Sequence, residues 1–263
     1  MSTALVALLR ELDASAWELL TVADPWRVRD VVAHLADVTF RRLACHRDGI
    51  IPPSPAMPIA SERDLVNFIN LLNAQWVESS RRFSPRVLTD LFEKGSLDLA
   101  DWVEAFPLDG PALFGVSWAG EQVSEGWFDV GRDFTELWHH QQQIRMAVGE
   151  ASLDNPCYLR AVLEIALRGL PHAYRDVEAP SGTNLVLDIS GPAGGKWTLS
   201  RAGDLWTVHI GEVSAPTTCV RLSDDTAWQL LFNALPDERA ASIGVEGDAH
   251  VATPLLYARS VIV

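Results

Sequence analysis

Cysteine is scarce in this chain, and what there is of it excludes two kinds of site. Cys45, Cys157 and Cys219 are far apart in 263 residues and none belongs to a C-x-x-C pair. They supply neither a thiolate zinc site nor a disulfide framework, a pattern that fits a reducing compartment. Long apolar runs are missing as well: no stretch of about 18 uninterrupted apolar residues is present to span a bilayer. Met1-Ser2-Thr3-Ala4 has no basic region ahead of an apolar run, so no signal peptide is expected and the expected location is cytoplasmic. Basic charge is also in short supply. Against 35 Asp and Glu there are 21 Lys and Arg, a net charge of −14, which argues against nucleic acid or an anionic membrane as partner, since both select a basic face. The G-x-S-x-G elbow, the Walker A loop and G-x-G-x-x-G are absent, which leaves hydrolase-elbow and nucleotide-binding readings without support.

What is present centres on Phe134-Thr135-Glu136-Leu137-Trp138-His139-His140-Gln141-Gln142-Gln143-Ile144-Arg145. Glu136 and His140 are four apart, one above the other on a helix, where both side chains reach one small object. Phe134, Leu137, Gln141, Ile144 and Val148 form the neighbouring stripe, which places the pair at the edge of an amphipathic helix. A carboxylate there needs a partner, because burying an unpaired charge costs several kcal/mol, and a divalent metal is one candidate. His34 takes the equivalent edge position beside Val31 and Val38 on a second stripe of Val28, Val31, Val32, Leu35 and Val38. Packed together, the two stripes would join two imidazoles and a carboxylate, the ligand set of a catalytic divalent metal: zinc first, with nickel, iron or manganese as alternatives. The competing reading makes His34 a satisfied core histidine and Glu136 with His140 a surface pair. His139 lies about 100° around the helix from His140, which suits a solvent-facing or rim role. Cys45, the thiol nearest a ligand helix, reads as a buried structural group.

Trp26 to Leu35 (W-R-V-R-D-V-V-A-H-L), Glu136 to Arg145 (E-L-W-H-H-Q-Q-Q-I-R), Ala147 to Gly149, and Val245-Glu246-Gly247-Asp248 running to Pro254-Leu255-Leu256 together resemble the mycothiol-dependent maleylpyruvate isomerase family, metal-binding relatives of DinB-like four-helix bundles. The resemblance implies an α+β protein, with a DinB-like four-helix bundle over residues 1–152 and a smaller, antiparallel, sterol-carrier-like α+β domain over 153–263. It implies His34, Glu136 and His140 as metal ligands and Arg145 as a cofactor or substrate contact. No residue is assigned a catalytic role. The implied cofactors are a divalent metal and a low-molecular-weight thiol such as mycothiol, and the implied substrate is an electrophilic, acidic small molecule handled by an isomerase or S-transferase, as monomer or homodimer. A metal-binding or small-molecule-binding protein without turnover is the alternative. One departure bears on this choice: many members carry Asp three residues after the second ligand histidine, where this chain has Gln143, which is neither a base nor a charged orienter. Arg239 lies near where a C-terminal anion-binding arginine is expected, on too loose a match to carry a role.

Taken in order, Leu5, Leu8, Leu9, Leu12, Trp17 and Leu20 predict a short helix and a turn ending at Asp24-Pro25, with the His34 helix running from Pro25 to about Arg47. The proline-rich Ile51 to Pro58 is a loop, either a cover over one mouth of the site or a plain connector. Ser61 with Asp64 starts a helix through Phe83, Ser84-Pro85 starts one to Phe92, and Gly95 to Gly126 reads as an irregular connection rich in aromatics. Trp127 to Val148 is the Glu136 helix, stopped by Gly149. Pro156 to about Tyr174 is helical. Alternation at Leu185, Leu187 and Ile189, at Trp197 and Leu199, and at Trp206, Val208 and Ile210 predicts an antiparallel meander with turns at Gly194-Gly195 and Ala202-Gly203-Asp204. A strand at Thr218 to Leu222, a helix capped by Asp224-Asp225 through Phe232, a strand near Ile243 to Val245 and a helix from Ala249 complete the chain.

Overall fold

The computed structural model describes residues 1–51, 54–55, 58–153 and 155–260. Half of the proposed cover over the site, Ile51 to Pro58, namely Pro52, Pro53, Ala56 and Met57, therefore lies outside the described residues. The chain separates into two compact units, one of Met1–Leu113 with Glu125–Leu153, the other of Phe114–Ser124 with the chain after Leu153.

The first unit is helical: α1 (Ser2–Glu11), α2 (Val28–Arg42), α3 (Glu62–Ser80), α4 (Pro85–Ala105) and α5 (Gly126–Val148). Helix α2 is its axis, touching α3, α4 and α5. Val28, Val31, Val32 and Leu35 are at most 3% exposed. By transfer free energy those four side chains stabilise the unit by on the order of 10 kcal/mol, an upper figure, enough for one helix to carry His34, Asp37 and Arg42 into the interior as well. The helix starts three residues later than predicted. Leu20 and Arg27 form a bridge that keeps residues 20–27 extended and turning, and the Arg27 N–H donates to Asp30 Oδ2 at 3.0 Å to open the first turn at Val28. Beyond Arg42 the helix widens into a π-helical turn, Leu43–Arg47. Helix α3 opens on the predicted capping pair, the Asp64 N–H donating to Ser61 Oγ at 3.2 Å and the Ser61 N–H to Asp64 Oδ2 at 2.9 Å. Helix α4 does not stop at Phe92 but continues through Gly95. A Cβ at Gly95 would come within 3.0 Å of the Thr39 methyl and 3.1 Å of the Phe40 ring, so this glycine permits close packing against α2 and is not a helix stop. Gly149 ends α5 in the left-handed conformation, φ 72°.

The second unit has α6 (Pro156–Leu167), α7 (Leu170–Ala173), β1 (Asn184–Ser190), β2 (Gly195–Ala202), β3 (Leu205–Ile210), β4 (Thr218–Ser223), α8 (Asp224–Leu231), α9 (Asp237–Ala240), β5 (Gly244–Gly247) and α10 (Ala249–Tyr257). The predicted single helix to Tyr174 is two, parted at Arg168–Gly169. Gly169 lies against Trp118, whose ring a Cβ would meet at 2.9 Å. The strands form one sheet in the order β3-β2-β1-β4-β5. It is mixed, not antiparallel throughout: β1 pairs with β2 antiparallel, but with β4 in parallel, Leu187 opposite Val220. Alternation shows which side chains face the core and is blind to strand direction, so the return of the chain from β3 across to the far side of β1 leaves no mark in it. Ser223, one residue before the predicted pair, caps α8 by accepting from the Thr226 N–H at 3.0 Å. The buried Tyr174 hydroxyl donates to the Val251 carbonyl at 2.7 Å and ties α10 to the end of α7. No helix among the described residues is long and apolar enough to cross a membrane.

Candidate metal centre

Helices α2 and α5 bring His34, Glu136 and His140 together in the helical unit, with one ligand atom of each inside a 4.8 Å span. Glu136 Oε1 stands 2.9 Å from His34 Nε2 and 3.3 Å from His140 Nε2. Ligand atoms around a tetrahedral ion with bonds of ~2.0–2.1 Å sit about 3.3 Å apart, which the two Glu136–histidine distances approach, while the whole group spans up to 4.8 Å. His34 and His140 are 4% and 6% exposed, and the Glu136 side chain keeps 28% of its surface, which leaves one side of the cluster open.

Tautomers and ring planes are set by neighbours. Gln143 Oε1 accepts from His140 Nδ1–H at 2.7 Å, which turns the Nε2 lone pair toward Glu136. Gln143 is thus a neutral hydrogen-bond acceptor that orients the His140 ring, reached from its i+3 position one turn along α5. Trp26 lies across His34 with ring centroids 4.9 Å apart, and the two imidazoles meet edge to face at 4.8 Å. Burial first, and the nearby His140 as well, push the His34 imidazole below its ordinary range and keep it neutral, the form that ligates a metal. Burial works to raise the Glu136 carboxyl, but the closely approaching His140 and His34 rings override it and hold the group well below the usual carboxylate range. His34 Nδ1 is buried without a hydrogen-bond partner among the described residues. His140 is buried, so Glu136 and His140 are not the surface pair of the competing reading.

His139 departs from its expected rim position. It is 3% exposed, its Nδ1 meets the Thr135 carbonyl at 2.8 Å, and burial drives its pKa down to about 3. It packs on the His140 ring at 4.0 Å between centroids and supports the cluster from behind. Cys45 is half-buried in the π-helical turn, and burial raises its thiol pKa, which suits a structural group and not a nucleophile. Arg145 is not brought to the cluster: Nη1 donates to the Ala151 carbonyl at 2.9 Å beyond the end of α5. Arg239 is committed to α8, through Asp225 Oδ2 and Gln229 Oε1, each at 2.9 Å.

Beside the cluster, α2, α4 and α5, with Met1 and Ser2, line a half-open pocket of about 240 Å³ to which Glu136 contributes. Asp133, one of its lining residues, belongs to a charge network that the sequence does not reveal. Arg42 reaches Asp133 Oδ2 through Nε and Asp129 Oδ2 through Nη1, both at 2.6 Å, while Arg132 bridges to the other Asp129 oxygen at 2.7 Å. Burial works to raise Asp129, but His46 and Arg42 together hold its carboxyl far below the ordinary range. Partners 87 and 91 residues apart carry no spacing signal.

A helical unit with a buried His/Glu/His cluster, followed by a unit built on a mixed sheet, defines the class. Within it the chain belongs to the mycothiol maleylpyruvate isomerase family: residues 1–145, more than half its length, match the family's description "Mycothiol maleylpyruvate isomerase N-terminal domain". Two solved structures share the fold. The mycothiol-dependent maleylpyruvate isomerase superposes with a TM-score of 0.54 at 16% identity, covering 90% of this chain and 86% of that one. A histidine-to-alanine mutant of that enzyme gives 0.52 at 15% identity, with 87% and 83% covered. No curated protein sequence matches the chain.

Proposed function

We propose that this protein is a divalent-metal-dependent enzyme that uses a low-molecular-weight thiol, such as mycothiol, to act on an electrophilic small molecule, as isomerase or S-transferase. The observation that carries the reading is the convergence of His34, Glu136 and His140 on one point beside a pocket. Zinc suits two imidazoles and a carboxylate best, with nickel, iron or manganese next. When bound, such an ion supplies Lewis acidity that lowers the pKa of a thiol at an open position. The chain's own residues do the rest. Gln143 holds His140 in the ligating tautomer, Trp26 fixes the His34 ring plane, and the apolar pocket wall excludes water from the electrophile. Arg145, whose Nε has no partner among the described residues, is the proposed contact for the polar body of the thiol.

In the isomerase form, the thiolate sulfur bonds to an alkene carbon while the π pair moves to a conjugated carbonyl oxygen. After rotation about the new single bond that pair returns, the C–S bond breaks, and the thiol is regenerated with the opposite isomer. In the transferase form a leaving group departs with its bonding pair and the C–S bond stays. The protein needs no nucleophile of its own. A second reading, binding without turnover, draws on Gln143, since an amide side chain acts as neither general acid nor general base near neutral pH. Protein purified without chelator should contain about one divalent ion per chain and turn over a thiol adduct substrate only with metal present. Full occupancy in His34→Ala or His140→Ala would remove the site, and metal without thiol-dependent turnover would favour the second reading.

A further inference from the structure

The sheet of the second unit has two edges, and they are built differently. Strand β5 is four residues long, starts and ends in glycine and carries Glu246, the kind of short, charged edge that resists pairing with another chain. Strand β3, Leu-Trp-Thr-Val-His-Ile over Leu205–Ile210, is longer and has no Lys, Arg, Asp, Glu, Pro or Gly. Just beyond its end the Gly211 N–H donates to the Lys196 carbonyl of β2 at 2.8 Å. With His209 opposite Thr198 and Thr207 opposite Ser200, the alternation of an antiparallel ladder turns the backbone groups of Leu205, Thr207 and His209 toward β2. Those of Trp206, Val208 and Ile210 point away from the sheet. No backbone group among the described residues meets them there.

Along this edge the side chains pass from covered to bare. On one face of the strand Trp206 is 5% exposed and packs on Tyr174 with ring centroids 5.1 Å apart, while Ile210 at the far end is 67% exposed. On the other face Leu205 is 71% exposed, and a Cβ at Gly211 would meet nothing. The flanking charges are matched: Asp204 Oδ1 lies 3.5 Å from Arg201 Nη2, and Glu212 Oε2 lies 2.5 Å from Lys196 Nζ. A chain with a net charge of −14 thus has an edge without the like-charge repulsion that the rest of its surface offers to a second copy.

We infer that β3 is a dimer edge, pairing antiparallel with β3 of a second copy of this chain about a two-fold axis at Val208. In that register Val208 opposes the partner's Val208 and Trp206 opposes the partner's Ile210, and each opposed pair with outward backbone groups exchanges two hydrogen bonds. The bare end then meets the covered end. Ile210 lies against the partner's Trp206, Leu205 fits over the partner's Gly211, and Thr207 stands opposite the partner's His209. An extended strand of another protein would satisfy the backbone but not this reciprocal match, so the occupant is a second copy. Six residues a side bury less than the roughly 1,200 Å² of a standard interface, which makes the dimer weak and its population dependent on concentration. Neither metal nor thiol enters this inference.

The test is analytical ultracentrifugation of the purified full-length chain from about 5 to about 500 µM. The mass should climb with concentration from 28.9 kDa toward twice that value. Val208→Pro removes the central outward N–H, which the ladder to β2 does not use, and proline is tolerated at such an edge position. Ile210→Lys puts a charge where the partner's Trp206 would lie. Each should weaken the dimer at least about tenfold while dilute protein melts as the parent does; if Val208→Pro fails to fold, Ile210→Lys decides. Register is read by disulfide trapping in a Cys157→Ser background. Thr207 and the partner's His209 oppose with Cα atoms about 4.5 Å apart, within disulfide reach, so mixed Thr207→Cys and His209→Cys chains should cross-link faster than either variant alone. A single 28.9 kDa species at every concentration, a dimer undiminished in Ile210→Lys, or faster trapping of one cysteine variant by itself overturns the inference.

Discussion

Replacing Gln143 with leucine removes one hydrogen-bond acceptor and almost nothing else in volume. Gln143 is 4% exposed and its Oε1 takes the His140 Nδ1 proton at 2.7 Å, so the substitution leaves a buried N–H without a partner. Leaving such a donor unsatisfied costs about 1–3 kcal/mol, which in a chain of this size lowers the melting temperature of metal-free protein by roughly 2–12 °C. The larger consequence falls on the metal. With Nδ1–H unanchored, the imidazole samples both ring orientations and both tautomers, and only one presents a lone pair toward Glu136. Losing such an outer partner typically weakens metal affinity about 10- to 100-fold, about 1.4–2.7 kcal/mol. Gln143→Glu keeps the acceptor and adds charge, so its affinity should equal or exceed that of the parent. Zinc titration against a competing chelator at pH 7.5 reads both variants. An affinity of Gln143→Leu within twofold of the parent, or of Gln143→Glu as weak as that of the leucine variant, would refute the orienting role.

Other outcomes follow from the same geometry. Chelator should lower the melting temperature of metal-loaded protein at pH 7.5, because an ion a hundredfold over its Kd adds about 2.7 kcal/mol to the folded state; coincident melting curves would place the ion elsewhere. Arg42→Met strands Asp129 and Asp133 in the interior and should cost about 3–5 kcal/mol by chemical denaturation, and a loss under about 1 kcal/mol would show the network to be solvated. His139 titrates near about 3 when folded and near about 6.5 when unfolded. The unfolded chain therefore takes up the proton first, and metal-free protein should lose up to about 1.4 kcal/mol of stability per pH unit as pH falls below roughly 6.5. Asp129 adds to this further down: its folded pKa is depressed, so its stabilisation is fully present above about 3.9, the unfolded value, and is lost progressively as pH falls from there through the lower folded value. A flat melting temperature between pH 7 and 5 contradicts the assignment to His139. Tyr174→Phe, which deletes the bond to Val251, should cost about 0.5–1.5 kcal/mol in thermal unfolding.

Periodicity made α2, α3 and α5 legible because each buries one stripe against a partner, and spacing placed Glu136 and His140 on one face before any packing was known. Capping chemistry did the same for the start of α3 at Ser61 and the end of α5 at Gly149. The extension of α4 was not legible, since Gly95 has a tertiary reason, contact with Thr39 and Phe40, that a local rule reads as a stop. His139 was misplaced on helical geometry alone, because the wheel angle says which way a side chain points and not what covers it. The parallel pairing of β4 and the Arg42 network both depend on partners distant in sequence. Gln143 stood in plain view as a departure from the family pattern, but its use as an acceptor needed the ring of His140 in place.

Residues 114–124 leave the helical unit, join the second unit, and return at Glu125 to begin α5. Within that second unit Trp118 lies against Gly169 and Glu121 Oε1 accepts from Arg168 Nε at 2.7 Å. On a ribosome these partners emerge some fifty residues after the segment itself, a lag of several seconds at about 5–20 residues per second. During that interval Trp118 has no native surface to bury against, while α5, which carries Glu136 and His140, is already tethered to it. The order of synthesis thus leaves α5 anchored at its start only once α6 has been made. A nascent chain arrested before Arg168 should be cut by protease between Leu113 and Glu125, and one released after Tyr174 should resist.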